Sequence, residues 1–145
     1  MTRIDFYILG QANDRARHMT ACRLSEKAFR QQLPVYIHTE SSAEAHTLDD
    51  LLWTFRGGSF LPHKIFDSAE NETEARDSLI TIGYGSAPSL HEGVLINLAS
   101  AVPDFFSRFE RVVEVIDADN ERRQLGRDRY RFYKDRGYEL GTHKL

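Results

Sequence analysis

The chain has 145 residues and a mass of 16.7 kDa, room for one ordinary domain with a real core but not for two. With 41% hydrophobic and 28% charged residues it is neither disordered nor collagen-like, and no apolar run approaches the roughly 18 residues of a membrane span. A net charge of −3 argues against wholesale nucleic-acid binding, and the single cysteine, Cys22, excludes an intramolecular disulfide.

In chain order, Arg3–Leu9 alternates and then runs apolar through Phe6, Tyr7, Ile8 and Leu9, which predicts a largely buried first strand ended by Gly10. A helix follows from Asn13 to Gln32, capped by Asn13 or Asp14, with Ala16, Met19, Ala21, Cys22, Leu24, Ala28 and Phe29 approximating its apolar face. Pro34 stops it, and Val35, Tyr36 and Ile37 form a short strand with His38 at its end. Ser41 or Ser42 starts a second helix, with Glu44 placed for a capping box and Leu48, Leu51, Leu52 and Trp53 on its apolar side. The loop Trp53–His63 is unusually apolar; Trp53, Phe55, Phe60 and Leu61 either fold inward or form an exposed patch for another protein. From Asp67 to Asp77 five acids face Arg76 alone, reading as a solvated loop.

Later strands are predicted at Leu79–Gly83 and Gly93–Leu98, separated by turn residues, then a short helix over Asp104–Phe109 and a strand over Val112–Ile116. A last helix spans about Asp119–Arg136 and ends at Gly137, with Tyr138–Leu140 as a short edge strand. The alternation of strands and helices predicts one domain over 1–145, a three-layer α/β/α sandwich with a mixed, mostly parallel sheet and Rossmann-like topology.

The chemistry-bearing motifs of that fold class are missing. The turn LGQANDRAR has one glycine where a dinucleotide site needs G-x-G-x-x-G, and there is no phosphate-binding G-x-x-x-x-G-K-S/T. Gly57-Gly58 and Gly83/Gly85 read as turns. Cys22 falls on a buried helix face, where a thiol is inert, and the six histidines show no H-x-x-x-H spacing. Neither a catalytic residue nor a metal or cofactor site is therefore assigned. An alternative, a nucleotide-binding or hydrolytic domain, would place its site at the strand ends near Gly10 and His38.

Charge is concentrated at the C-terminus. Arg122–Arg136 holds seven cations and two acids, a local +5 that leaves −8 for the remainder of a −3 chain. At 100° per residue, Arg123, Arg127, Tyr130, Arg131 and Lys134 share one stripe, while Leu125, Phe132 and Tyr133 lie opposite. Such a ridge is either a solvated face or a site for an acidic partner, and the overall negative charge favours an acidic peptide over a phosphate backbone.

Read together, FYIL near the start, LDDLLW and SFLPH in the middle, INL, FERVVEVID and the terminal RRQLGRDRYRFYKDRGYEL give the chain a resemblance, over nearly its whole length, to the chi subunits of bacterial DNA polymerase III holoenzyme. The resemblance implies a non-catalytic, cytoplasmic clamp-loader accessory without a cofactor. It would bind the acidic, phenylalanine-ended C-terminal tail of single-stranded-DNA-binding protein, and so touch single-stranded DNA only indirectly. The tail site it implies comprises Arg123, Arg127, Tyr130 and Arg131, joined here by Lys134 of the same stripe and by Thr142. A second implied interface, for the psi subunit, comprises Trp53, Phe60, Leu61, Pro62 and His63. The acidic segment Asp67–Asp77 departs from the family's pattern.

Overall fold

A computed structural model describes residues 2–55, 61–66, 80–85 and 92–145. Phe60, the glycine pair Gly57-Gly58, the acidic segment Asp67–Asp77 and the first residue expected of the third strand, Leu79, lie outside the described residues. The described elements are β1 (Arg3–Ile8), α1 (Asp14–Arg30), β2 (Val35–Thr39), α2 (Ser42–Thr54), β3 (His63–Ile65), β4 (Ile80–Tyr84), β5 (Val94–Asn97), a 3-10 turn (Phe106–Arg108), β6 (Arg111–Ile116), α3 (Asn120–Asp135) and β7 (Glu139–Lys144). The strands form one sheet in the order β3-β4-β2-β5-β6-β1-β7.

Every described pairing is parallel. The three-layer α/β fold therefore stands, and the sheet goes further than the mixed, mostly parallel one expected. Its strands sort side chains by the two-residue period. Val35, Ile37, Ile80, Ile82, Val94, Ile96, Val113 and Val115 join Ala21, Cys22, Leu48 and Leu52 of α1 and α2 in one core. Ile4, Phe6, Tyr36, Leu95, Val112 and Ile116 meet Phe105, Phe106, Phe109 and the Tyr133 ring of α3 in the other. Burial on both faces is why the strands read as dense apolar runs rather than alternating ones.

The helix ends follow local chemistry. The Asn13 side chain accepts the Ala16 N–H and starts α1; Ser41 does the same for α2 through the Glu44 N–H. Glu44 reaches one residue further back than a capping box requires, accepting the Glu40 N–H at 2.9 Å. Asp119 caps α3 through the Arg122 N–H. The other end of α3 closes with Gly137 at φ +83°, its N–H on the Lys134 carbonyl and that of Tyr138 on the Tyr133 carbonyl, which is the αL stop expected there.

Four local expectations change. Asp104–Phe109 is reduced to the 3-10 turn Phe106–Arg108, and the edge strand extends to Lys144 instead of ending at Leu140. His63–Ile65, where the sequence reading ended its loop at His63 and placed no strand, is the edge strand β3, short enough to carry no period signal. Gly83 is inside β4, where any Cβ would overlap the Tyr36 hydroxyl, so it serves close packing; Gly85, at φ +79°, is the turn glycine.

Candidate partner-binding surfaces

α3 lies over the β1–β6–β7 side of the sheet and divides its cations by role. Its buried residues are Gly126, Arg129 and Tyr133, spaced i, i+3, i+7. Gly126 permits close approach, since a Cβ there would run into the Ile116 side chain. Arg129, 7% exposed, is the arginine that sequence reasoning missed. Its Nε donates to Glu114 Oε1 at 2.9 Å, and its Nη1 donates to the Ser100 carbonyl at 2.8 Å. Tyr133 Oη donates to Glu114 Oε2 at 2.7 Å, and Asn97 Nδ2 donates to the same carboxylate at 3.0 Å. Burial pushes the Glu114 carboxyl up, with the Arg129 charge the largest influence pulling it back. Leu125 and Phe132, placed opposite the ridge by periodicity, are only half-buried. Phe132 carries the Arg136 guanidinium 3.6 Å above its ring.

The predicted stripe is outward in three of its five members, and the exposed face of α3 also carries Gln124, Asp128 and Asp135. Arg127, Arg131 and Lys134 are exposed, and Arg123 and Tyr130 are half-buried. Arg131 meets Asp128 at 2.9 Å, but both side chains are more than half exposed, so solvent screens the pair. Among the described residues no ion pair is made by Arg123, Arg127 or Lys134. Tyr130 packs edge-on against Phe6 of β1, with ring centroids 5.3 Å apart. Phe6 is in register with Thr142 of β7, so both side chains stand on the α3 side of the sheet. Thr142, outside the helix, thus stands one strand away from the Phe6 ring on which Tyr130 packs, a placement made by the pairing of β7 with β1.

The second surface divides differently. Trp53, at the end of α2, is 48% exposed. Leu61 is 3% exposed and belongs to the core, His63 is buried beneath the Trp53 ring, and Pro62 is half-buried. The apolar residues of this region therefore divide: Leu61 folds inward, while Trp53 stands half-exposed at the surface. Leu61 and His63 are placed to support this surface from below rather than to supply contact area.

At the strand-end crevice, where an α/β fold takes its ligand, the start of α1 is tied to the end of β6. Asp117 Oδ2 accepts the Asn13 N–H at 2.9 Å, and Arg122 grips both Asp117 oxygens at 2.7 and 2.6 Å. The Asp117 carboxylate thus holds the N–H of Asn13, the N-cap of α1, and ties the end of β6 to it. Burial works to raise the Asp117 carboxyl, but the hydrogen bonds and charge of Arg122, with the Asp119 and Asn13 N–H groups, outweigh it and hold the carboxyl below its usual range. His38 is 9% exposed, and burial lowers its basicity. Cys22 is fully buried, and burial pushes its thiol up to about 12. Among the described residues no group of three metal-ligating side chains forms, and no helix is long and apolar enough to cross a membrane.

A model of the family described as "DNA polymerase III chi subunit, HolC" matches residues 1–141. The DNA polymerase III subunit chi of Pseudomonas aeruginosa is 43% identical over all of this chain and 98% of its own length. That of Escherichia coli is 28% identical over 83% of this chain and 80% of its own. Among solved structures, T4 UvsW has a TM-score of 0.71 at 12% identity, covering 99% of this chain and 41% of that one, a likeness of fold alone.

Proposed function

The chain belongs to the DNA polymerase III chi subunit family, and from that premise we propose that it is a non-catalytic adaptor: the α3 ridge binds the acidic C-terminal tail of single-stranded-DNA-binding protein, and the Trp53 surface binds the psi subunit. The observation that carries the first half is the ridge itself. Arg123, Arg127 and Lys134 stand on one side of α3 without described acidic partners, next to Tyr130, in a chain whose remainder is acidic. Guanidinium groups meet carboxylates through paired N–H donors, and the Tyr130–Phe6–Thr142 edge offers a mixed apolar and polar neighbour for a terminal phenyl ring.

Calorimetric titration with the tail peptide tests this reading, beside a control peptide lacking the terminal phenylalanine. Micromolar binding that weakens with added salt and disappears with the control is the expected result. Binding of a single-stranded oligonucleotide in preference to the peptide would instead make the ridge a phosphate-backbone site.

For the second surface, Trp53→Ala is expected to weaken psi binding by about 2 kcal/mol, the scale of a central aromatic anchor. Tail-peptide affinity should be unchanged. Because half the residue is already solvated, its removal should leave the thermal midpoint within a few degrees of the parent. Loss of the folded state on this substitution would make Trp53 a core residue and end its assignment to the interface.

A further inference from the structure

β7 ends the sheet, and its outer edge is open. In the order β3-β4-β2-β5-β6-β1-β7 it pairs with β1 alone. The Leu145 N–H donates to the Ile8 carbonyl at 2.9 Å, and Ile8 is in register with Lys144. A parallel ladder turns the N–H and C=O of every second residue to the same side. Gly141 and His143 therefore bond to β1, and the N–H and C=O of Leu140, Thr142 and Lys144 face away from it. Among the described residues no hydrogen bond reaches those outward groups. The strand ELGTHK holds no proline, one of the usual protections of an exposed edge.

The same edge is flanked by the basic side of α3. Leu140 and Thr142 share a sheet face with Ile4 and Phe6, the face on which α3 packs, and Leu140 is half-buried there. Arg129 joins α3 to Glu114 of β6, whereas Tyr130 packs on Phe6 of β1, one strand nearer β7. Continuing round the helix in that direction, at about 100° per residue, Arg123, Lys134 and Arg127 come next, and the acids Asp135 and Asp128 come last. The side of α3 turned toward the open edge is thus cationic.

We propose that the β7 edge takes the acidic tail as an added strand. Main-chain hydrogen bonds to Leu140, Thr142 and Lys144 hold an extended peptide, and alternate side chains of that peptide fall on the α3 face, where Arg123, Arg127 and Lys134 meet its carboxylates. The inference rests on the tail reading above and supplies its binding mode. Charge identifies the occupant. A second copy, paired edge to edge about a two-fold axis, would set both α3 helices on one side of the joined sheet and turn cations toward cations. An acidic segment meets opposite charge at the same place. Main-chain pairing is tolerant of side-chain identity, so the edge supplies affinity and the cations of α3 supply the selection for acid.

Amide hydrogen exchange of the full chain, followed residue by residue with and without saturating tail peptide, tests the pairing. The N–H groups of Leu140, Thr142 and Lys144 should exchange freely in the chain alone and slow by at least about tenfold with peptide, while those of Gly141 and His143 are already protected through β1. Two forms of the peptide, N-methylated at alternate residues in opposite phase, keep its charges and its phenyl ring. One phase should bind roughly tenfold more weakly than the other, because only one set of peptide N–H groups faces β7. Thr142→Pro removes an outward N–H and should weaken the peptide more than Thr142→Val, which keeps it. The methylated peptides serve even if Thr142→Pro does not fold. Peptide that binds without slowing these amides, or equally in both phases, overturns the pairing and leaves the tail reading standing. Absence of any binding by the unmodified peptide removes both. Protection of the same amides that grows with protein concentration, without peptide, would give the edge to a second copy and overturn the proposal.

Discussion

Arg129→Met is expected to destabilise the domain by about 3–5 kcal/mol, the loss that follows when a buried charge is left without its partner. Glu114 is fully buried, and Arg129 is the cation bonded to it. Tyr133 and Asn97 remain as neutral donors in the variant, but neither balances the carboxylate charge. The deficit, measured by urea unfolding, should be smaller at pH 5 than at pH 8. An unpaired buried carboxylate lowers its cost by taking up a proton, and burial already pushes Glu114 in that direction. Adding Glu114→Gln to Arg129→Met should recover at least half the loss, because the amide oxygen still accepts from Tyr133 or Asn97 while the charge is gone. A loss under about 1 kcal/mol would mean that the pair does not fix α3 on the sheet.

This residue shows where sequence reading stopped. The 3.6-residue period identified the stripe Arg123, Arg127, Tyr130, Arg131 and Lys134, because a solvated face is written in polar residues. It could not separate Arg129 from its neighbours, since a buried arginine and an exposed one have the same letter. The signal that could have found it is Glu114, an acid at the centre of the apolar run RVVEVI, which requires a cation once that strand is buried on both faces. Arg17, His18 and Glu26 were hidden on α1 in the same way: they are buried where only small and apolar residues were expected, and His18 reaches Glu44 of α2 at 3.0 Å.

Long-range placement was the other limit. Strands β1, β2, β4, β5 and β6 were legible within a residue or two because parallel, doubly buried strands are dense in apolar and β-branched residues. β7 was half-legible: ELGTHK has one large apolar residue, and its place beside β1 depends on a polar cluster unreadable along the chain. Asp5, 1% exposed, is bonded by His143 at 3.0 Å and Arg111 at 2.9 Å, and Gly141 leaves space for its carboxylate. That cluster positions Thr142, which entered the sequence reading only through family resemblance. The Trp53 region was ambiguous for a related reason. Whether Leu61 or Trp53 turns inward is decided by His63 and α2, two elements apart in composition but adjacent in space.

The converse of Arg129→Met is Arg127→Glu, which should leave stability within about 0.5 kcal/mol of the parent while weakening the tail peptide by about 3 kcal/mol, somewhat over a hundredfold. Arg127 is exposed on the outward stripe and makes no described ion pair, so its removal leaves nothing buried and unmatched. The affinity estimate combines a charge-assisted hydrogen bond, about 1.5–3 kcal/mol, with the repulsion of a carboxylate introduced beside an acidic ligand. Arg127→Ala should fall between, losing at least about 1 kcal/mol. The two substitutions exchange effects: Arg129→Met lowers the unfolding midpoint and spares the affinity of the molecules that remain folded, and Arg127→Glu does the reverse. Calorimetry with the tail peptide and urea melts on the same preparations read both. If Arg127→Glu binds as the parent does while the parent binds with micromolar affinity, the tail lies elsewhere, and the half-buried Leu125–Phe132 side of α3, with Arg136 over its ring, becomes the face to substitute next.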